Sequence, residues 1–506
     1  MSVNPIKALP RGESLSYCCS WASQNFVAKR RMLGKGAVAA DFFGALGSKL
    51  ARAELNEELI FGKGGFAEQF PEVRKDLFFV LDDGWDVPYS IDPDCEIHMF
   101  GSLEIDTERF PSLQGTPAER LKQMNKMLRA RGWRGLGLWI APQVQGERYD
   151  DPDLDYPKHE AYWRERILWC KHADVRYWKV DWGKHSGKVE YRKMMTDLGH
   201  ELFPELTIEH ACCLIPVNGS PLEGLIRYEN FAKLERICKI CDYSDAFRSY
   251  DVTDDMLSAT TTMDRLSTLL EVSKGIVNCE DELYMGAALG CAVGIMRSAY
   301  GSNLYHMCTR LDEVTAAIRW QRIAPPFAGG PLLRSEWILT DRCYFRPEDT
   351  WFKDIHGKTV EQAAPAVIAR NTPLPTVEGD ETVPFVIASQ NPSGAYSLAA
   401  IRRRIAFDRT TPPCVTCFAG VSEQIGVFGS FASVTLRFDR PVKAVVAQSL
   451  IRGDARKLPV EEIVRGNEVC LSGALLAQFD TTCDNSENAV MLTVSFADQN
   501  GTGMEQ

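Results

Sequence analysis

The stretch that decides the fold is TPAERLKQMNKMLRARGWRGLGLWI, residues 116–140, which predicts one helix followed directly by one strand. Thr116-Pro-Ala-Glu119 is a capping box with proline at the first helical position. Apolar residues then recur at helical spacing over Leu121–Leu128, and Gly132 ends the helix. Gly135–Ala141 is apolar throughout, as strands buried on both faces must be. A helix and a buried strand joined this closely indicate a β/α unit of a parallel sheet.

The same alternation of short apolar runs and amphipathic stretches extends from residue 14 to about residue 325. It contains eight strand-like runs, and eight is the number of parallel strands that closes a (β/α)8 TIM barrel. The predicted strands are Leu15–Trp21, Leu77–Asp82, Gly135–Ala141, Arg176–Asp181, Leu206–His210, Arg236–Asp242, Gly275–Cys279 and Ala292–Met296.

The sequence pattern changes after Pro325-Pro-Phe-Ala-Gly-Gly330. Ser433–Asp439 and Val490–Phe496 alternate strictly between apolar and polar residues, which is typical of strands with one buried face. The turn residues Asn391–Gly394 lie between two apolar runs and predict a hairpin. We therefore expect two domains, a catalytic barrel over residues 1–325 and an antiparallel β-sandwich over residues 326–506.

Composition and charge exclude several function classes. The 506 residues are 45% hydrophobic and 25% charged, the balance of a chain with a large core. An excess of acidic over basic residues gives a net charge of −11, so we expect no nucleic-acid partner. Residues 1–16 lack a signal-like apolar run, and no uncharged apolar run is long enough to cross a membrane. These features predict a cytoplasmic protein without a membrane partner.

The sixteen cysteines are expected to be reduced structural thiols in that compartment. Two C-x-x-C pairs, Cys238/Cys241 and Cys414/Cys417, have the spacing of a zinc site, but they are far apart and the first lies in a strand-like run. An H-x-H pair is absent, and His210 is the only histidine at a predicted strand end. We therefore predict no metal ion and no cofactor.

Carboxylates with interleaved aromatic residues fall at the carboxyl ends of the predicted strands, where β/α barrels carry their active sites. Carboxylates accept hydrogen bonds from sugar hydroxyls, and a pair of carboxyl groups can cleave a glycosidic bond. The same rim is also suited to a divalent metal ion. The strand ends are Ser20-Trp21, Asp82-Asp-Gly-Trp85, Lys179-Val-Asp-Trp182, Glu209-His210, Asp242-Tyr-Ser-Asp245 and Glu280-Asp281.

These motifs resemble those of the melibiase clan, the α-galactosidases and their relatives. The resemblance rests on Asp82-Asp-Gly-Trp85, on Lys179-Val-Asp181 and on Ser244-Asp245, in that order along strands two, four and six. Gly135–Pro142 on strand three and Arg109-Phe-Pro111 before the helix match as well. The resemblance covers about residues 14–325 and implies a barrel, a following β-domain and a retaining glycosidase that needs no metal.

The resemblance also implies roles for individual residues. Asp181 matches the catalytic nucleophile, and Asp245 matches the general acid/base, with Asp242 and Asp251 as alternatives. Lys179, two residues before Asp181 on the same face of a strand, is expected to bind hydroxyls and to lower the pKa of Asp181. The fifth strand end departs from the family pattern, which leaves the substituent at sugar C2 open. The expected substrate-binding residues are Trp21, Asp82, Asp83, Trp85 as a wall, Lys179, Glu209 and Arg248.

The sequence thus predicts a retaining exo-α-glycosidase, galactosidase-like, that acts on small glycosides or oligosaccharides. Its expected partner is a small carbohydrate, and a homo-oligomer remains open. Two other functions are compatible with the same residues. One is a metal-dependent sugar isomerase or lyase, and the other is a carbohydrate-binding barrel without catalysis.

Overall fold

The structure of the chain is a computed structural model. It describes residues 14–33, 50–88, 97–151, 155–211, 227–249, 259–297, 310–344, 359–379, 382–403, 410–479 and 487–497.

The first eight strands form a closed barrel in which every neighbouring pair is parallel, and β8 closes the ring on β1 through the register Tyr17–Gly294. This confirms the predicted (β/α)8 TIM barrel. Most strand residues are buried, because helices cover the outside and side chains fill the inside. The strands are β1 (Tyr17–Cys19), β2 (Phe78–Leu81), β3 (Gly135–Ile140), β4 (Tyr177–Val180), β5 (Thr207–His210), β6 (Ala246–Arg248), β7 (Ile276–Glu280) and β8 (Ala292–Ile295).

The helices of the first 325 residues alternate with these strands, and α3 begins with the predicted capping box. Within the described residues, none of the helices combines the length and apolar character needed to cross a membrane. The helices of the chain are α1 (Trp21–Leu33), α2 (Glu57–Phe61), α3 (Pro117–Ala130), α4 (Tyr156–Ala173), α5 (Val189–Leu202), α6 (Arg227–Cys241), α7 (Ala259–Val272), α8 (Leu283–Ala288), α9 (Leu311–Gln321), α10 (Val460–Ile463) and α11 (Gly473–Leu476).

The sixth strand was predicted at the wrong place. Arg236–Asp242 belongs mostly to α6, and the strand itself is Ala246–Arg248. Ile237, Ile240 and Cys241 are buried at the i, i+3, i+4 spacing of an amphipathic helix, which the short run Ile-Cys-Lys-Ile-Cys disguised as a strand. The other seven strands lie where the sequence predicts them.

The residues after α9 form two larger sheets and a two-stranded ribbon, β10–β11. One sheet has the order β20-β19-β23-β17-β15-β14-β12-β9, and the other has the order β13-β16-β18-β22-β21. Apolar residues of both sheets belong to one buried cluster, as in a sandwich. The strands are β9 (Leu332–Arg334), β10 (Ile338–Tyr344), β11 (Thr359–Pro365), β12 (Val367–Arg370), β13 (Thr376–Glu378), β14 (Phe385–Gln390), β15 (Tyr396–Ile401), β16 (Cys414–Gly420), β17 (Gln424–Gly429), β18 (Ser433–Phe438), β19 (Val442–Ser449), β20 (Ala455–Lys457), β21 (Val464–Arg465), β22 (Glu468–Ser472) and β23 (Ala489–Phe496).

The predicted sandwich is present, and three of its strand pairings are parallel although the others are antiparallel. β12–β14, β15–β17 and β16–β18 are parallel. In each case the intervening strand lies in the other sheet, so the chain crosses over before it returns in the same direction. The predicted hairpin around Asn391–Gly394 is present as the antiparallel pair β14–β15.

The larger sheet packs on the barrel through α8, which contacts β14, β15 and β17 and is buried along its whole length. Polar contacts fix the two parts together. The indole Nε1 of Trp320 donates to Ser397 Oγ over 3.1 Å, and Ser389 Oγ donates to the carbonyl of Ala288 over 2.6 Å. Arg370 donates to the carbonyl of Leu289 over 2.8 Å. The barrel and the larger sheet therefore share a buried interface around α8.

Candidate active site

Asp181 follows the last residue of β4 and so lies at the carboxyl end of the barrel, with 7% of its surface exposed. The indole Nε1 of Trp139 donates to Asp181 Oδ2 over 3.1 Å, and Arg248 Nη2 lies 2.9 Å from the same oxygen. Arg192 Nη2 donates to the Asp181 carbonyl over 2.6 Å. Within the described residues, Oδ1 accepts no hydrogen bond. One carboxylate oxygen is therefore held in place while the other stays available.

Arg248 is the last residue of β6 and is completely buried, so its charge is balanced inside the barrel. Its Nη1 lies 2.9 Å from Glu280 Oε2, and its Nε lies 3.6 Å from Glu209 Oε1. Tyr177 Oη donates to Glu209 Oε2 over 2.7 Å, and Asn278 Nδ2 donates to the same oxygen. This layer of polar side chains lies beneath Asp181 and fixes the guanidinium that pairs with it.

Glu209 belongs to this layer and not to the surface that a ligand would meet. It is fully buried, and burial raises its pKa, although the nearby Arg248 opposes that rise. The structure therefore gives Glu209 a positioning contact with Arg248, and the predicted contact with substrate does not fit its burial.

Lys179 is held by different carboxylates from the one that the sequence predicted. Its Nζ lies 2.8 Å from Asp82 Oδ2 and 3.6 Å from Glu280 Oε1. Burial disfavours the charged amine, but Asp82 and its other acidic neighbours keep the pKa of Lys179 well above its usual value. The structure pairs Asp181 with Arg248, and Lys179 with Asp82 and Glu280, so the expected influence of Lys179 on Asp181 stays a prediction. The Cys19 thiol also donates to Asp82 Oδ2, over 2.6 Å.

Asp83 forms a two-pronged ion pair with Arg52, with Nε–Oδ1 and Nη2–Oδ2 distances of 2.7 and 2.8 Å. Burial raises the pKa of Asp83, while the paired guanidinium lowers it in part. The same guanidinium lies over the Phe100 ring, 4.9 Å from its centroid, and 5.7 Å from the centroid of the Trp182 ring. Asp82 and Asp83 thus bind different cations although they are adjacent in sequence.

The aromatic residues divide into a buried support, Trp85, and two half-buried rings, Trp182 and Trp21. Trp85 is 0% exposed and donates its indole N–H to the carbonyl of Trp139 over 2.7 Å, so the predicted wall of the site is a support for β3. Trp182 is half-buried, next to Asp181, and packs against Trp139 and Phe100. Trp21 begins α1 and packs, half-buried, on the interior cluster around Tyr17.

Asp245 lies at the opposite end of the barrel from Asp181, so its predicted role as acid/base is wrong. It precedes the first residue of β6, and the strand register places it level with Ile208 and Trp178. That level is three residues before Asp181, about 10 Å along the strand direction. Its Oδ1 lies 2.9 Å from His200 Nε2, and its Oδ2 accepts the Ile208 N–H over 2.8 Å.

Asp242 is excluded by the same geometry. It is exposed in the turn between α6 and β6, where its Oδ1 lies 3.0 Å from Lys274 Nζ. Both errors follow from the misplaced sixth strand. The predicted strand ends at Asp242, so Asp242 and Asp245 were expected at its carboxyl end, whereas both residues precede the first residue of β6. Asp251, the third sequence candidate, lies outside the described residues.

The sequence analysis missed a cluster of Glu147, His159 and His185. Glu147 follows β3, His159 lies in the first turn of α4, and His185 lies between β4 and α5. One possible ligand atom from each residue lies within 4.8 Å of the others, so these residues could hold a metal ion. The connections after neighbouring strands β3 and β4 meet at one rim, but no spacing within one segment indicates which of their residues come together.

His210, the strand-end histidine, and the cysteines of the two C-x-x-C pairs make structural contacts. His210 is buried between Arg192 Nη1, 3.1 Å from its Nδ1, and Thr196 Oγ1, 2.8 Å from its Nε2. Cys238 and Cys241 lie on α6, and Cys414 and Cys417 point to opposite faces of β16. These cysteines are free thiols in the structure.

The fold and these residues define a β/α barrel with a buried acidic site at its carboxyl end. Searches by sequence match neither a protein-family profile nor a curated protein. Among solved structures, a GH27 β-L-arabinopyranosidase from Geobacillus stearothermophilus aligns with 89% of this chain and 94% of its own, at 11% identity and a TM-score of 0.41. A candidate α-N-acetylgalactosaminidase from Bacillus halodurans C-125 covers 88% and 95%, at 12% identity and a TM-score of 0.39. We assign no residue role from these alignments, and the functional argument rests on the geometry of the site.

Proposed function

We propose that this chain is a retaining exo-α-glycosidase, galactosidase-like in the sugar it accepts, with Asp181 as the nucleophile. The observation that carries the proposal is the difference between the contacts of the two carboxylate oxygens of Asp181. Oδ2 is held by the Trp139 indole and the Arg248 guanidinium, whereas Oδ1 accepts no hydrogen bond among the described residues. A carboxylate that attacks an anomeric carbon needs one free oxygen and a fixed orientation.

The charges around Asp181 support the same role. Arg248 places a guanidinium 2.9 Å from Asp181 Oδ2, so the carboxylate faces a fixed positive charge within the site. Lys179 and Asp82 form a second buried ion pair at the same end of the barrel, with Nζ and Oδ2 2.8 Å apart. Trp182, half-buried next to Asp181, offers an indole face for the apolar face of a sugar ring.

For the general acid/base we propose Asp251 in place of Asp245. Arg248 ends β6 within 2.9 Å of Asp181, and Asp251 is the next carboxylate after it along the chain. Retaining enzymes need a second carboxyl group about 5–5.5 Å from the nucleophile. The structure does not describe residue 251, so this assignment rests on the order of residues along the chain.

A panel of aryl glycosides tests the proposed function. The panel includes α-galactoside, α-N-acetylgalactosaminide and β-L-arabinopyranoside substrates. The second sugar carries an acetamido group in place of a hydroxyl of the first, and the third lacks the C6 group. The two similar enzymes are named for the second and third sugars. We expect turnover of at least one, with the first product formed in the configuration of the substrate, as followed by NMR. Inversion at the anomeric carbon would contradict the proposal.

Two alternative functions predict different results in the same panel. A carbohydrate-binding barrel without catalysis would bind saccharides and turn over none of the substrates. A metal-dependent isomerase or lyase would lose its activity on chelation and regain it with a divalent ion. The glycosidase is expected to keep its activity in chelator when the assay temperature lies well below the unfolding midpoint.

A further inference from the structure

We propose that Glu147, His159 and His185 form a binding site for one divalent transition-metal ion, with Zn²⁺ as the best fit. The proposal does not depend on the glycosidase assignment, since none of its residues takes part in the proposed reaction. Two imidazoles and one carboxylate are a donor set that zinc uses widely, and the nitrogen ligands select against Mg²⁺ and Ca²⁺.

The spacing of the three side chains fits a tetrahedral ion. Glu147 Oε1 lies 3.1 Å from His185 Nε2 and 3.4 Å from His159 Nε2. Ligand atoms about 2.0–2.1 Å from a tetrahedral zinc ion are about 3.3–3.4 Å from one another. The two imidazole rings approach with centroids 5.5 Å apart, so both face the same carboxylate. Small movements of the side chains would complete the coordination.

The surroundings orient two of the three ligands, His159 and Glu147, in advance. Tyr191 Oη lies 2.9 Å from His159 Nδ1 and is itself held by the indole N–H of Trp163 over 2.8 Å. This leaves His159 Nε2 as the nitrogen that faces Glu147. The Val144 N–H donates to Glu147 Oε2 over 2.7 Å, so Oε1 is the oxygen between the two rings. Outer contacts of this kind commonly set the orientation of metal-binding histidines.

The His185 side chain is 1% exposed, and its Nδ1 has no hydrogen-bond partner among the described residues. Nε2 is the nitrogen that faces Glu147, so a metal ion bound there would leave Nδ1 as the protonated nitrogen of the ring. The tautomer that a metal ion at Nε2 needs therefore requires no hydrogen bond of Nδ1 to be broken.

Lys184 is the group that opposes a metal ion here. Its Nζ lies 3.5 Å from Glu147 Oε1 and 3.9 Å from Asp151 Oδ2. A bound dication would repel this ammonium, which can turn towards Asp151 at the surface. The competition predicts that removing the charge with Lys184→Met strengthens metal binding.

The test uses the full chain, stripped with a chelator and then titrated with Co²⁺ as the spectroscopic probe and Zn²⁺ as the competitor. We expect one Co²⁺ per chain with micromolar or tighter affinity, visible absorption of a low-coordinate ion, and its loss on addition of Zn²⁺. His159→Ala and His185→Ala should weaken binding at least 100-fold, and Tyr191→Phe about tenfold. Zn²⁺ should also raise the unfolding midpoint of the wild type and leave that of the histidine variants unchanged.

His172→Ala is the matched control, because His172 is an exposed histidine at the other end of the same helix. It should bind Co²⁺ as the wild type does. Binding through cysteine would give thiolate charge-transfer bands and would not respond to the histidine variants. The proposal is overturned if the stripped wild type binds no Co²⁺ at micromolar concentration, or if folded Tyr191→Phe and His159→Ala both bind it as tightly as the wild type. Neither readout measures sugar turnover, so failure of the glycosidase proposal would not affect this result.

Discussion

The direction of a barrel strand decides whether a carboxylate at its end can meet a substrate. Asp181 follows β4 and Asp245 precedes β6, so the two residues lie at opposite ends of parallel strands. Asp245 is instead held by His200 and the Ile208 N–H, which tie the start of β6 to α5 and β5. Its side chain therefore stabilises a junction between elements.

The acid/base assignment is tested by three matched substitutions. Asp251→Asn should slow the hydrolysis of glycosides with poor leaving groups far more than that of activated aryl glycosides, because only the former need a proton. Asp245→Asn and Asp242→Asn should leave kcat within about twofold of the wild type. Initial rates over a series of leaving groups measure the difference. A leaving-group dependence in Asp245→Asn but not in Asp251→Asn would contradict the assignment.

Asp86 gives a pH dependence that can be isolated. Burial raises its pKa to about 6, although the N–H groups of Leu103 and Gly101 bind its carboxylate and partly oppose the rise. The unfolded chain releases this proton near pH 3.9. Its contribution to stability is therefore complete below about pH 4 and is lost as the pH rises through about 6.

We expect Asp86→Asn to gain stability relative to the wild type at pH 8 and to lose most of that gain at pH 4.5. The amide keeps an oxygen for the Gly101 and Leu103 N–H groups without a buried charge. Urea unfolding at pH 4.5, 6 and 8 measures the difference in free energy of unfolding. A difference that does not change with pH would show that this carboxyl is not the titrating group.

Among the elements, α3 has the most clearly defined start. The Glu119 N–H donates to Thr116 Oγ1 over 3.4 Å, and the Thr116 N–H donates to Glu119 Oε2 over 2.7 Å. Thr116→Ala removes the first bond and should lower the free energy of unfolding by about 1 kcal/mol. Thr116→Ser keeps the hydroxyl and should lie within a few tenths of a kcal/mol of the wild type. Chemical denaturation compares the two, and equal losses would exclude the cap as the cause.

Strands that alternate with clear helices could be predicted from the sequence, and β6 could not. Gly135–Ile140 and Phe78–Leu81 are uniformly apolar because both faces are covered. β6 has three residues, Ala-Phe-Arg, and its last inward position holds the buried Arg248. A strand with a charged interior residue has no apolar pattern. The apolar run at the end of the neighbouring helix therefore indicates a strand more strongly than β6 itself does.

The residues of the candidate site that lie at strand ends could be predicted from the sequence. The contacts that join side chains from distant parts of the chain could not. Asp181 and Asp82 lie at the predicted barrel end, but the partner of each carboxylate is set by side chains from distant strands. Arg248 and not Lys179 pairs with Asp181. The Glu147, His159 and His185 cluster joins three separate segments, and no spacing within one segment reveals it.

At the scale of the whole molecule, the barrel and the larger sheet depend on each other. α8 is buried along its length because β14, β15 and β17 cover it, and Trp320 packs against Phe428 of β17. We expect the full chain to unfold in one calorimetric transition. A chain that ends at residue 325 should bind a hydrophobic dye and unfold at a clearly lower temperature, since α8 and Trp320 would be exposed. An unchanged midpoint for the shortened chain would contradict this interdependence.

The central claim is that Asp181 attacks the sugar. The most direct measurement is turnover of the best aryl α-glycoside by Asp181→Ala in the presence of azide, with NMR of the product. The variant should lose at least 1,000-fold in kcat, about 4 kcal/mol in barrier, and azide should restore part of the rate by forming the glycosyl azide of inverted configuration. Azide fits into the space of the missing carboxylate and attacks from the same side. If Asp181→Ala keeps most of its activity without azide, Asp181 is not the nucleophile and the account of this site is wrong.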